Sequence, residues 1–186
     1  MTKTMRPVFG TGAAGQALAR AEAGGTSSPS AGATRASPPE LLVGYGFRGW
    51  IAGYQTGDVG CWEKVWRLYA SHLGADRAEL AVGSLAAWAK SVNAACRSPL
   101  RVRPLDACGF CRDECLAISM VAASQHDTCP AMRACAYALI DSSLVDDVLH
   151  QAETYAVMMR SIDQVVPPTW IVNANAFVDP AASYPH

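Results

Sequence analysis

Three cysteines, Cys108, Cys111 and Cys115, crowd the start of the stretch CGFCRDECLAISM, and two more, Cys129 and Cys135, follow within one helix length. Thiolates are soft donors that select Cu(I), zinc or iron–sulfur clusters over hard ions. An α-helix turns about 100° per residue, so on a helix Cys108, Cys111 and Cys115 would lie within about 60° of one another. That puts three thiols on one face over roughly two turns. Ser119, Ala122 and His126 would continue the stripe. His126 lies about 16 Å along the axis from Cys115, too far to share one ion with it. Further ligands must therefore come from the next helix, where a short antiparallel connection would bring Cys129 and Cys135 alongside, with Met132 as a soft thioether on the side of Cys135.

The spacing separates these metals incompletely. Structural zinc takes ligand pairs two to four residues apart on each side. Cys108 and Cys111 fit that rule, whereas Cys129 and Cys135 are separated by five residues. Cys129-Pro130 echoes the Cys-Pro ending of iron–sulfur runs, but the C-x-x-C-x-x-x-C spacing departs from the ferredoxin pattern. This pattern, followed by Met120 and then Cys129 and Cys135 on a second helix, resembles the cytosolic cysteine-rich copper-storage four-helix bundles over residues 108–140. The resemblance implies inward thiolates at Cys108, Cys111, Cys115, Cys129 and Cys135 for a few Cu(I) ions. It departs from that family in the first half of the chain, which carries Trp and Tyr instead of further cysteines.

Two other readings stand beside Cu(I), zinc or iron–sulfur binding. Reduced cysteine is among the most buried residue types, and the chain could be a non-catalytic helical interaction or assembly module whose cysteines only pack, as expected for Cys61 and Cys96. A thiol redox protein is the third, with C-x-x-C at a helix start lowering the Cys108 pKa, though without the strand context of thioredoxin-like folds. Catalytic chemistry has little to stand on. GxSxG, HExxH and P-loop motifs are absent, and Asp147 to His150 with Glu153 supplies only half of a di-iron motif. No catalytic residue is nominated.

Composition narrows the setting. The 186 residues carry 15 basic and 16 acidic side chains, so no overall field draws the chain to nucleic acid or anionic lipid. No apolar run reaches the roughly 18 residues of a spanning helix, and MTKTMRPVFGTGAAGQ lacks a signal-peptide core, which places the expected location in the cytoplasm, with no membrane partner. Seven cysteines without a secretory context are expected to be reduced.

The elements that must position the thiols read as all-α. Residues 1–38, rich in Gly, Ala, Ser and Pro, are expected to be a flexible arm. Gly10 to Gly15 matches GxGxxG there, but lacks the preceding strand and the βαβ unit of a dinucleotide site. Residues 39–166 read as a bundle of about six helices. They run from Pro39 to Gln55, from the Asp58 cap to Leu73, from an Asp76–Glu79 capping box to Cys96, and from an Asp106 cap to Ser124. The fifth runs from Asp127 or Thr128 to Ile140, and the sixth from Ser142 or Ser143 to Val165. Residues 167–186 read as an extended tail that packs Trp170 back on the bundle. A shift of 69 positions superposes Phe47 on Leu116, Ile51 on Met120, Asp58 on Asp127 and Trp66 on Cys135, suggesting a duplicated three-helix unit. Aromatic-rich helices such as GYGFRGWIAGY add the expectation of a homodimer.

Overall fold

The computed structural model describes residues 38–172. The expected arm and its GxGxxG, and the tail beyond Val172, lie outside the described residues. Within them the chain is all-helical: α1 Pro39–Thr56, α2 Val59–Leu73, α3 Ala75–Ala95, α4 Arg112–Gln125, α5 Cys129–Ile140 and α6 Val145–Ser161, followed by a 3₁₀ turn at Pro168–Trp170. No helix among these residues is long and apolar enough to cross a membrane.

Local chemistry sets most boundaries. Pro39 opens α1 where its missing N–H costs nothing, and Gly57, in the left-handed region at φ 71°, ends it by donating its N–H to the Gly53 carbonyl. The Asp58 carboxylate accepts from Gly60 N at 2.8 Å and caps α2. Three elements differ from the sequence reading, the first being α6, which starts after Leu144 rather than Ser142 or Ser143 and ends at Ser161, short of Val165. The chain enters α3 directly at Ala75 from Gly74, so Asp76 sits inside the first turn, favourable to the helix dipole, and is not a cap. The fourth helix starts at Arg112, not after Asp106, which leaves residues 97–111 as an extended and turning connection.

The helix boundaries lie close to those that the 69-residue shift would give. Adding 69 to α2 and α3 gives 128–142 and 144–164, close to α5 and α6, and α1 maps onto 108–125, overlapping α4. Between the halves, the main contacts are α3 against α6 and α1 against α4, pairings that an approximate two-fold exchange would map onto themselves. The core there is aromatic. Trp88 of α3 stacks on Tyr155 of α6 with ring centroids 5.5 Å apart and tilts against Phe47 of α1 at 5.3 Å. Tyr69 donates its hydroxyl proton to the Leu42 carbonyl at 2.9 Å, so the 2.6 Å contact with Tyr155 is donated by Tyr155. Small residues on α1 admit this packing: a Cβ on Gly53 would meet the Trp62 indole at 2.2 Å, and one on Gly44 would meet the Phe110 ring at 2.3 Å.

A buried ion pair ties α1 to α4. Arg48 Nε lies 2.7 Å from Glu114 Oε1, and both side chains are fully buried. Arg48 also donates to the carbonyls of Ala107 at 2.7 Å, Gly109 at 2.5 Å and Pro104 at 3.3 Å. Glu114 in turn accepts from the backbone N–H of Arg103 at 3.0 Å and of Cys111 at 2.8 Å. Burial alone would push the Glu114 carboxyl up, but the Arg48 guanidinium and the two backbone donors outweigh it and hold it below its ordinary value.

Removing one partner strands a buried charge, so Arg48→Met is expected to cost about 3–5 kcal/mol in urea unfolding. Because the native Glu114 carboxyl is held low, its stabilising contribution is fully present above the ordinary carboxyl range and fades as pH falls through its depressed native value. The stability gap between wild type and Glu114→Gln should therefore be constant near neutrality and narrow only in acid; a gap that widens as pH falls would contradict the assignment.

Candidate functional site

All seven cysteines are free thiols. The expectation of one helical stripe holds for only part of the triplet. Cys108 is exposed in the turn before α4, where Gly109 takes φ 71°, so it precedes the helix and does not share its face. Cys111 is the N-cap residue, in extended conformation, and Cys115 stands one turn further on, its N–H bonded to the Cys111 carbonyl at 2.9 Å. Cys111 and Cys115 are thus the pair that the start of α4 brings together.

The cap explains the position of Cys111. Its N–H donates to Glu114 Oε2 while the Glu114 N–H turns back toward Cys111 Sγ, a capping box with sulfur in place of the usual hydroxyl. The thiol itself donates to the Arg101 carbonyl at 2.9 Å. Burial, followed by the nearby Glu114 charge, raises the Cys111 pKa despite opposing backbone donors. Burial, then the charges of Cys111 and Glu114, raises that of Cys115. Both shifts favour the neutral thiols.

The remaining two nominated thiols lie elsewhere. Cys129 opens α5 and is exposed, facing the C-terminal end of α4, about 15 Å of helix from Cys115. Cys135 is buried at mid-hairpin, where its thiol donates to Ser119 Oγ at 3.3 Å; the same hydroxyl accepts the Val172 N–H at 3.0 Å. Met132 is buried on the same helix. His126 ends α4 with Nε2 2.9 Å from the Val166 carbonyl, which fixes the proton on Nε2 and spends that nitrogen on holding the chain after α6. His150 is exposed. Among the described residues, no group of three or more His, Cys, Asp or Glu side chains is arranged to hold a metal ion. The five-thiol set is not assembled, because a hairpin separates residues along its length however close they lie in sequence.

Cys111 borders an open cleft of about 520 Å³ walled by Leu100, Arg101, Arg112, Asp113, Leu139 and Ile140. A second groove, of about 540 Å³, runs along the α2–α3 hairpin between Trp50, Val59, Trp62, Trp66 and Val82. Trp66 keeps 39% and Val59 57% of their surface exposed on this groove. The excess of large side chains on the outward face of WEKVWRL was the available signal.

Brief maleimide labelling followed by peptide mass mapping should modify Cys108 and Cys129 first, Cys111 and Cys115 more slowly, and Cys61 and Cys135 only on unfolding; early labelling of Cys135 would contradict its place under Val172. In comparison with known proteins, the chain matches no family model, no curated protein and no solved structure, so the reading of the site rests on its side chains.

Proposed function

We propose that the protein binds a soft metal ion, Cu(I) before zinc or an iron–sulfur cluster, at the start of α4. The observation that carries this reading is that Cys111, the N-cap of α4 at the edge of an open cleft, and Cys115, one helical turn on, share the start of the helix, with exposed Cys108 three residues ahead. The donor set fits Cu(I) best. This d¹⁰ ion is satisfied by two or three thiolates, whereas structural zinc and iron–sulfur clusters need four ligands, and Cys129 and Cys135 are held away. Cys111 and Cys115 would supply the two thiolates, and the Cys108 turn would supply the third.

Both half-buried thiols must lose protons to coordinate, so uptake is linked to pH. Since their pKa values are raised, binding two thiolates expels two protons per ion, and affinity should climb by up to about 100-fold per unit between pH 6 and pH 8. Reduced protein titrated with Cu(I) against a competing chelator should show this slope. Cys111→Ser with Cys115→Ser should abolish uptake, while Cys129→Ser and Cys135→Ser should retain it. Equal uptake by wild type and the double variant would return these cysteines to packing.

The second reading is a helical interaction module, favoured by the exposed aromatic groove and by Trp50 Nε1, which is buried without a hydrogen-bond partner. On this reading the groove is the interface of a homodimer. Trp66→Lys should then convert a concentration-dependent dimer to a monomer in sedimentation equilibrium, and the cysteine variants should leave association intact.

A further inference from the structure

The connection over residues 97–112 carries four arginines, Arg97, Arg101, Arg103 and Arg112, against one acid, Asp106, a local charge of 4 − 1 = +3 in a chain whose net charge is −1. All four arginines are exposed. The reason lies in the backbone. Asp113 accepts the Arg101 N–H at 2.8 Å and Glu114 accepts the Arg103 N–H at 3.0 Å, which pins the segment in extended form along the start of α4. Side chains of an extended chain alternate, so Leu100 and Val102 turn inward while Arg101 and Arg103 turn out together. The two carboxylates that could neutralise them are occupied by backbone donors and by Arg112 and Arg48. Among the described residues, the side chains of Arg97, Arg101 and Arg103 form no ion pair or hydrogen bond. Arg103 Nη1 lies against Gly109, beside Cys108, and the Arg101 carbonyl receives the Cys111 thiol. Asp141, on the far rim of the cleft, is the opposing charge.

Resting on the Cu(I) reading above, we infer that this arginine rim draws Cu(I) to the thiols as an anionic bis-thiolate complex of a small carboxylate-bearing thiol. A Cu⁺ ion held by two thiolates carries a charge of −1 before the carrier's carboxylates are added, and an unneutralised cationic rim raises the encounter rate of such an anion. Transfer is a ligand exchange without change of oxidation state. Cys111 and Cys115 each give a proton to a departing carrier thiolate, two Cu–S bonds to the carrier break, and two to the protein form.

The test is stopped-flow uptake by the full chain, followed by ultraviolet thiolate-to-copper absorption, from two sources: Cu(I) with two equivalents of glutathione, and the Cu(I)–acetonitrile cation. Arg101→Gln with Arg103→Gln removes two exposed charges and, among the described residues, no side-chain hydrogen bond or ion pair. From glutathione, the rate is expected to fall about 10-fold or more in this variant, and similarly in wild type on moving from low to about 0.5 M salt, with final stoichiometry unchanged. From the acetonitrile cation, the variant should be as fast as wild type or faster. Equal glutathione rates in wild type and variant, or equal slowing with both sources, would overturn the role of the arginines while leaving the thiol site standing. Absence of uptake from either source by wild type would overturn the thiol site itself.

Discussion

A guanidinium cannot be taken out of water inside a helical bundle unless its donors are met, and Arg48 is fully buried. Its solution organises the region around it. Glu114 meets two of its nitrogens, three backbone carbonyls between Pro104 and Gly109 meet the others, and the rings of Tyr45 and Phe110 cover its faces at 4.7 and 5.5 Å. Because those carbonyls belong to the connection between the halves, the pair fixes the path of that connection. It also fixes where α4 can begin, since Glu114 has to reach back to the Cys111 N–H at the same time.

The position of the thiol pair follows from this constraint. Cys111 becomes the cap because Glu114 is held in place from the α1 side, and the turn carrying Cys108 is set by the bond from Arg48 to the Gly109 carbonyl. The same carboxylates that order the extended segment are unavailable to its arginines, so positive charge accumulates beside the thiols as a by-product of burying Arg48. Phe110 completes the link: it packs on Tyr45 and, edge-on, on Trp170, closing the tail over α4.

The two halves use one helical plan with different filling. In the first, Trp50, Tyr54 and Trp62 stack along the outer side and leave a groove. In the second, Cys135 occupies the place equivalent to Trp66, and the smaller side chain lets the tail descend until Val172 reaches Ser119. Large rings leave the first half with an apolar surface, whereas small residues let the second half be sealed by its own chain.

The sequence by itself determined what is decided within a turn or two of helix. The number and order of helices, the Asp58 cap, the end of α2 at Leu73 and the return of Trp170 were legible because capping and hydrophobic spacing act between near neighbours. The start of α4 was not. Asp106 is as good a cap by type as any, and it loses because Arg48, 66 residues away from Glu114, holds that acid and the carbonyls between them. Nor did the spacing of the cysteines reveal their grouping. Cys111 and Cys115 stay together because one helical turn joins them. Cys108, Cys129 and Cys135 are dispersed by a turn, by the length of a hairpin and by a hydroxyl from another helix, and only the tertiary structure sets those long-range partners.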